Sequence, residues 1–475
     1  MIPELPGGIR RRKTAESAAH SICPEAKELI VAVFTGKRKR TGALGAAAAF
    51  LAAGVGLGLG PAPTPAAATT PASCTGTHWV ASWAASPTDS IVPTDATGAL
   101  TPQTLTRQTL RMIVTPHLGG SSLRIHLSNR FGTTPVTFGR VTVGVQTNGA
   151  AARDIVPLTF QNSTSVTIPA GQDVVSDPAA LTFTAFEPLA VSLYVPGIYI
   201  APTKHWNANA TSYYSLSLSG DLSQRESGGS YLGRTGAWLF VNGVDVVAPA
   251  QTSAVVAFGD SITDGFVGAT ALSIPADASV ADKNGRYPDR LQRRLDAGGI
   301  PISVVNAGIG GNQLLTDGQP LQTGPSGLAR FDVDAQALAG AAGVLALEGI
   351  NDLGLGGATA DELITGYTQL IDRAHAAGLK IWLGTITPAS NALVDGTLLA
   401  PDSEQHRQTI NTWIRTQTLA DGFVDFDAAL RDPANPSVLR SAYASVDNLH
   451  PNLAGYQAMA DVANLELLRS VTCHG

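Results

Sequence analysis

The chain has 475 residues, of which 44% are apolar and 14% are charged, and its formal net charge is −6. This length predicts two domains. Nine of the 31 basic but only four of the 37 acidic residues fall within the first 68 positions, so the remainder carries 22 basic and 33 acidic residues. The resulting net charge of −11 for that remainder argues against nucleic acid or an anionic membrane surface as a partner.

Residues 1–73 have the pattern of an N-terminal extension that contains a secretory signal peptide. A basic run at 37–40 precedes an apolar run over 41–60, and a segment rich in Pro, Ala and Thr follows up to residue 73. This order predicts export, with cleavage at a site such as Ala66-Ala67-Ala68. The alternative is an uncleaved membrane anchor, since the apolar run is nearly long enough to span a bilayer. The run holds few large apolar residues, so we expect a secreted, extracellular protein without a stable membrane anchor.

The cysteine count agrees with export. Cys23 precedes the signal, so the mature chain keeps Cys74 and Cys473, one near each end. Two half-cystines outside the cell predict one disulfide between them. The histidines of the N-terminal half show no metal-ligand spacing, and we expect neither a metal nor another cofactor.

From residue 74 to 250 the apolar residues recur with a period of two. Residues 123–127 and 191–195 alternate between apolar and polar side chains, and shorter runs follow the same pattern. Gly, Pro, Asn and Asp separate these runs, as expected for turns. Many short strands without a convincing helix predict an antiparallel β-sandwich domain over residues 74–250.

From residue 251 onward, short apolar runs alternate with helical patterns. The predicted strands are 253–258, 302–306, 343–347, 380–385 and 422–426, and the later predicted helices are 360–374, 403–417 and 454–468. The first of these helices begins with a capping-box signature, Thr359 to Glu362. This alternation predicts an α/β domain over residues 251–475, with a parallel sheet covered by helices on both faces.

Four short segments of this second half carry the groups that acyl transfer needs. They are Gly259-Asp260-Ser261-Ile262, Asn306-Ala307-Gly308-Ile309-Gly310-Gly311-Asn312, Gly349-Ile350-Asn351-Asp352 and Asp447-Asn448-Leu449-His450. The reaction requires a nucleophile, a base, a group that orients the base, and donors for the oxyanion. Ser261, His450 and Asp447 are the candidates for the first three roles. The amides of Ser261 and Gly311 and the side-chain amide of Asn351 are the candidates for the oxyanion hole, since each follows a predicted strand, where ligands of parallel sheets bind.

These segments resemble the four signature blocks of the SGNH hydrolases, also called GDSL-type esterases and lipases, over roughly residues 251–470. The resemblance implies Ser261 as nucleophile, Asp447 and His450 as orienting group and base, and Ser261, Gly311 and Asn351 as the oxyanion hole. It also implies a three-layer α/β/α sandwich with a parallel sheet, similar to flavodoxin. The second block departs from the family pattern, because Gly310 stands where a serine is more usual; either glycine is then a possible donor, and Gly311 is favoured. The first half resembles the β-rich segment that precedes this domain in a secreted bacterial subset of the family.

The sequence therefore predicts a secreted serine carboxylester hydrolase that forms an acyl-enzyme and needs no cofactor. The alternative is a carbohydrate- or surface-binding protein with a vestigial hydrolase domain, and a third hypothesis passes the acyl group to an alcohol acceptor. The predicted substrate is a small-molecule or polysaccharide ester, with O-acetyl groups of polysaccharides and short-chain lipids both open. The candidates for a sugar-stacking face, or alternatively for the core of the β-domain, are Trp206, Tyr213, Tyr214 and Trp238.

Overall fold

The computed structural model describes residues 75–318 and 323–471. The predicted signal segment 1–73 lies outside the described residues, as do Cys74 and Cys473, so the disulfide stays a prediction. Within the described part of the chain, no helix is both long enough and apolar enough to cross a membrane.

The first part of the described chain is built from strands. In chain order they are β1 (Thr77–Ala84), β2 (Thr104–Val114), β3 (Gly120–Ser128), β4 (Val136–Phe138), β5 (Arg140–Asn148), β6 (Ala151–Pro157), β7 (Val166–Ile168), β8 (Asp173–Val175), β9 (Ala179–Phe183), β10 (Leu189–Ile200), β11 (Lys204–His205), β12 (Ser212–Tyr214), β13 (Gly233–Thr235), β14 (Trp238–Leu239) and β15 (Val241–Pro249). A 3₁₀ turn at Gly228–Ser230 separates β12 from β13.

These strands pair antiparallel, mainly in two sheets. One sheet has the order β1-β15-β3-β8, with β9 also paired to β3, and the other has the order β13-β12-β2-β10-β5-β6. Leu123, Ile125 and Leu127 of β3 are fully buried and share one apolar cluster with Val191 and Leu193 of β10. The period of two in the sequence therefore identifies the side chains that face this common core.

The second part of the described chain alternates strands with helices. The strands are β16 (Ser253–Gly259), β17 (Gly268–Thr270), β18 (Ser273–Ala276), β19 (Ile302–Gly308), β20 (Ala341–Leu347), β21 (Lys380–Gly384) and β22 (Gly422–Val424). The α-helices are α1 (Ser261–Asp264), α2 (Tyr287–Ala297), α3 (Gly327–Phe331), α4 (Ala360–Ala376), α5 (Ser403–Thr416), α6 (Phe426–Leu430), α7 (Leu453–Val462) and α8 (Leu465–Arg469). A 3₁₀ turn lies at Ala278–Val280, and π-helical turns lie at Asp332–Gln336 and Asp352–Gly356.

Five of these strands form a parallel sheet in the order β19-β16-β20-β21-β22. Every residue of β16 is buried, so both faces of the sheet are covered. The helices pack in two groups. In one group α7 contacts both α2 and α6, and in the other α4 contacts both α3 and α5. This is the α/β architecture that the alternating pattern predicts.

Two predicted elements near the C-terminus end differently in the structure. The helix predicted over 454–468 is two helices, because Ala463 has an extended backbone (φ −65°, ψ 125°) and the side chain of Asn464 caps α8. The strand predicted over 422–426 stops at Val424, because the side chain of Asp425 caps α6. In both cases the capping side chain of an Asn or Asp starts a new helix at a point where the apolar pattern predicts that the preceding element continues.

The two parts of the chain share a core. Val80 and Ala84 of β1 belong to the same apolar cluster as the parallel sheet. The ring of His117 contacts Val304 O at 2.5 Å through Nδ1 and Asp289 Oδ1 at 3.1 Å through Nε2. The described residues accordingly fall in one compact unit, and the domain boundary between residues 250 and 251 stays a prediction.

Candidate active site

Three loops that carry candidate residues begin at the same edge of the parallel sheet. β16 lies between β19 and β20, and the last residues of the three strands, Gly259, Gly308 and Leu347, pair side by side. Each is followed closely by a candidate oxyanion donor: Ser261 lies two positions after the first, Gly311 three after the second and Asn351 four after the third. The sheet therefore brings the three loops to neighbouring positions, as the sequence predicts.

Ser261 begins α1 directly after β16. Asp260 caps this helix, since its Oδ1 accepts a hydrogen bond from Ile262 N at 2.8 Å. A side chain on Gly308 would come within 2.3 Å of Asp264 N, so glycine is needed for β19 to lie this close to α1. Cap and close packing together hold Ser261 at the end of β16.

Ser261, His450 and Asp447 form a continuous hydrogen-bonded row. Ser261 Oγ lies 2.7 Å from His450 Nε2, and His450 Nδ1 lies 2.6 Å from Asp447 Oδ2. The second carboxylate oxygen of Asp447 accepts the hydroxyl of Ser445 at 2.6 Å and the backbone N–H of His450 at 3.0 Å. The three residues are only 2–6% exposed.

Asp447 is ionised at neutral pH. Its burial would raise its pKa, but the charge of His450 and the hydrogen bonds from His450 and Ser445 outweigh burial and hold the pKa of Asp447 well below its usual range. A carboxylate at Nδ1 keeps the imidazole proton on that nitrogen, which leaves Nε2 as an acceptor for the hydroxyl of Ser261. The row can therefore activate a serine hydroxyl.

Gly311 and Asn351 are connected through Asn312. Gly311 has a left-handed backbone (φ 75°), and a side chain there would meet a neighbouring side chain at 2.7 Å, so this position requires glycine. At Gly310 an added Cβ would reach only ordinary contact, 3.5 Å from the ring of Trp206. Asn351 Nδ2 donates to Asn312 O at 2.9 Å, which leaves the second N–H of the amide for a ligand.

A buried arginine on α3 joins the ends of β16, β19 and β20. Arg330 is 3% exposed, and its guanidinium donates to Gly259 O at 2.8 Å and to Ala307 O at 2.7 Å. It also donates to Asn312 Oδ1 at 2.8 Å and to Glu348 Oε1 at 3.0 Å. Sequence reasoning missed Arg330, because α3 has only five residues and shows no periodic pattern.

Three buried carboxyl groups surround this arginine or lie close to it. Burial raises the pKa of Asp260 to about 7 and the pKa of Asp352 to about 6, and it raises the pKa of Glu348 well above its usual range. The positive charge of Arg330 opposes this effect at Asp260 and Glu348. The oxygens of Asp352 accept the backbone N–H groups of residues 314 and 315 at 2.8 and 2.9 Å, so Asp352 fixes the loop after β19 to the loop after β20.

The β-rich part of the chain reaches the site through His205 and Trp206. His205 Nε2 lies 3.0 Å from Oδ1 of Asp264, the last residue of α1. The ring of Trp206 stacks on Phe266, with centroids 6.0 Å apart and planes at 12°, and Phe266 in turn lies 4.7 Å from the imidazole of His450. Sequence reasoning gave His205 no role, because nothing local to it indicates a partner 59 residues away.

The other candidates for a sugar-stacking face do not join Trp206. Trp238 is buried, packs edge to face against Trp83 at 4.8 Å, and donates its indole N–H to Ile113 O at 2.7 Å. Tyr213 is 9% exposed, and Tyr214 packs against the core of the two antiparallel sheets. Of these four aromatic residues, Trp206 is the one that lies beside the candidate site.

The fold and the site together define a class of protein: an α/β sandwich with a serine, a histidine and an aspartate in a hydrogen-bonded row at the carboxyl edge of a parallel sheet. Residues 257–458 match the GDSL-like lipase/acylhydrolase family, and this part of the chain is a domain of that family. The resemblance drawn from the four sequence segments is thereby confirmed. Membership of the family implies ester hydrolase activity. No curated protein matches the chain.

Several solved structures are similar to parts of the chain. The aryl esterase of M. smegmatis is 17% identical, with a TM-score of 0.36, and the match covers 46% of this chain and 100% of that one. A family two carbohydrate esterase from Clostridium thermocellum, in complex with cellohexaose, is 14% identical, with a TM-score of 0.35 and coverage of 78% and 95%. A carbohydrate acetylesterase from Sinorhizobium meliloti is 14% identical, with a TM-score of 0.34 and coverage of 44% and 95%.

Substitution of Arg330 tests whether it positions the site. Arg330→Lys keeps the charge but cannot reach all four acceptors at once, so the loops should shift and kcat on an activated ester should fall about 10²-fold. Arg153→Lys, at an exposed position of β6, is the matched control and should change kcat little. Equal kcat for the two variants, measured with a p-nitrophenyl ester, would show that Arg330 does not hold the reacting groups.

Proposed function

We propose that this chain is a carboxylester hydrolase that works through a Ser–His–Asp acyl-enzyme mechanism. The observation that carries the proposal is the row from Ser261 Oγ to His450 Nε2 at 2.7 Å and from His450 Nδ1 to Asp447 Oδ2 at 2.6 Å. The family match of residues 257–458 supports the class of reaction. The hydrogen-bonded row supports the roles of Ser261 as nucleophile, His450 as base and Asp447 as the group that orients the base.

In this mechanism His450 takes the proton of Ser261 as the hydroxyl oxygen attacks the ester carbonyl. Asp447 stabilises the imidazolium that forms. His450 then gives the proton to the leaving alcohol, and an acyl group remains on Ser261. Water then repeats the sequence: His450 takes a proton from water as the water oxygen attacks the acyl carbon. His450 returns that proton to Ser261 Oγ as the acyl–oxygen bond breaks, which restores the serine and releases a carboxylic acid.

The oxyanion of each tetrahedral intermediate is held by N–H donors at the ends of three strands. They are the backbone amides of Ser261 and Gly311 and the second N–H of the Asn351 side chain. Preorganised donors of this kind stabilise charge that develops only in the transition state. The positive φ of Gly311 supports the choice of Gly311 over Gly310 as donor. Of these two glycines, Gly311 is the one with the left-handed backbone conformation that favours glycine.

We also propose that the protein is exported. The support is the order of basic run, apolar run and small residues before residue 74. Export would place Cys74 and Cys473 in an oxidising compartment, where a disulfide between them can form.

Replacement of the nucleophile is the direct test of the mechanism. Ser261→Ala should reduce turnover of a p-nitrophenyl ester to less than about a thousandth of the wild-type rate, since only binding and oxyanion effects remain. The fold should persist, which circular dichroism checks, and Ser219→Ala on an exposed turn is the control. A folded Ser261→Ala protein with substantial turnover would refute the acyl-enzyme mechanism.

Loss of one oxyanion donor should affect the chemical step. Asn351→Ala should lower kcat by about 10²–10³-fold with little change in KM, because the lost hydrogen bond forms mainly in the transition state. Asn391→Ala, an exposed residue of the loop after β21, should leave both constants unchanged. A change confined to KM would instead assign Asn351 to substrate binding.

The state of the two cysteines can be measured separately. Mature protein recovered from the culture medium should show no free thiol after denaturation, because Cys74 and Cys473 are the only cysteines beyond the predicted cleavage site. Thiol titration before and after reduction gives the count. Two free thiols per unreduced chain would rule the disulfide out.

A further inference from the structure

A short segment of the β-rich part is bonded directly to the C-terminal end of α1. His205 Nε2 lies 3.0 Å from Asp264 Oδ1, and Asn207 Nδ2 donates to Asp264 Oδ2 at 3.1 Å. Two residues further on, Asn209 Nδ2 donates to Gly265 O at 2.6 Å. Every second side chain of this segment thus bonds to the same end of α1, as an extended chain allows.

These contacts reach the backbone of Ser261 through a single turn of helix. α1 has only four residues, with Ser261 at its start and Asp264 at its end. Phe266 N, two residues beyond Asp264, donates to Ser261 O at 2.9 Å. A helix of this length is not stable by itself, so contacts from outside fix its position. The contacts at Asp264 therefore help to set the position of the Ser261 hydroxyl.

The surroundings of the His205 ring call for a proton on both nitrogens. Nδ1 lies 2.8 Å from Ser86 O, and Nε2 lies 3.0 Å from Asp264 Oδ1 and 3.2 Å from Asn207 O. Carbonyl and carboxylate oxygens accept hydrogen bonds and do not donate them. A neutral imidazole would leave one nitrogen lone pair facing such an oxygen, whereas an imidazolium donates from both nitrogens. His450 differs, because its Nε2 faces a hydroxyl group, which can donate.

The charged groups around His205 come from several elements. Asp264, at the end of α1, favours the imidazolium, and Arg286, just before α2, opposes it. His117 and Asp289 line the same small cavity of about 20 Å³ and pair with each other at 3.1 Å. Burial lowers the pKa of His205, but the hydrogen-bonded partners of its ring raise it by more, so the pKa lies above the ordinary histidine value.

We propose that His205 is a positioning residue for the nucleophile, and that its protonated ring holds α1 in the arrangement that the hydrogen-bonded row requires. This inference rests on the proposed function and adds a control of the same site by pH. The reaction then needs two buried histidines in opposite states. His450 is neutral, so that it can accept the proton of Ser261, and His205 is protonated, so that it holds Asp264.

This arrangement gives the pH dependence a definite sign. The contact between His205 and Asp264 is fully present below the ordinary histidine pKa and is lost as the pH rises through the raised pKa of His205. Activity should therefore fall on the alkaline side. Titration of His450 gives the opposite change, because loss of its proton creates the base that the reaction uses.

The test measures kcat against pH with a p-nitrophenyl ester, after subtraction of spontaneous hydrolysis. Wild-type kcat should rise as His450 loses its proton and fall again as His205 loses its proton. His205→Gln should have a plateau kcat about 10-fold lower and no alkaline fall, since glutamine does not titrate. KM should change little, because the variant displaces the nucleophile.

His375→Gln is the matched control for this substitution. His375 also pairs with an aspartate, Asp421, at 2.9 Å, but it is exposed. The control should keep the wild-type kcat and the wild-type pH profile.

Substitution of Asp264 gives a second test that leaves the histidine in place. Asp264→Asn removes the charge that favours the imidazolium, so the alkaline fall should move to lower pH. The double variant His205→Gln/Asp264→Asn should recover part of the kcat lost in His205→Gln, because no buried carboxylate is then left without its cation.

The outcomes separate this inference from the proposed function. Absence of wild-type turnover would contradict the proposed function alone. Normal wild-type turnover, with the alkaline side of the profile unchanged in both His205→Gln and Asp264→Asn, would overturn the positioning role of His205 alone. If circular dichroism shows that His205→Gln does not fold, the direction of the shift in Asp264→Asn decides.

Discussion

One buried guanidinium sets the geometry on which the candidate site depends. Arg330 donates to backbone oxygens at the ends of β16 and β19 and to side chains of Asn312 and Glu348. A cation buried to this degree is stable only if its donors are satisfied, so the four acceptors must converge on it. The loops that follow these strands carry the candidate nucleophile and the candidate oxyanion donors. Arg330 thus fixes the relative positions of these loops, although it does not belong to the hydrogen-bonded row of Ser261, His450 and Asp447.

The β-rich part of the chain takes part in the same construction. His205 contacts Asp264 at the end of the helix that begins with Ser261, and both side chains are buried. Burial lowers the pKa of His205, but the charge and hydrogen bond of Asp264 and the hydrogen bond with Ser86 raise it by more, so these contacts favour the protonated imidazole. Trp206, the next residue, stacks beside the site. The β-rich part therefore contributes directly to the structure around the hydrogen-bonded row.

The sequence predicts those features that depend on local patterns. Strand alternation, the capping box at Thr359 and the position of Ser261 after a buried strand are all visible in short windows. Arg330 and His205 are not, because their importance comes from partners distant in the chain and α3 is too short to show a period. The capping tendency of Asn464 indicates the break between α7 and α8, but the apolar pattern continues on both sides of it and predicts one helix. Trp206 could be recognised as an aromatic candidate, whereas its place beside the site follows only from the packing of both parts.

In the proposed mechanism Ser261 is a nucleophile that His450 activates. Labelling with a fluorophosphonate, followed by mass spectrometry of the intact chain and its peptides, tests it without assuming a substrate. We expect one covalent adduct per chain, on Ser261, and a labelling rate that falls sharply in His450→Ala. An adduct on another residue, or labelling of Ser261 at an unchanged rate without His450, would contradict it.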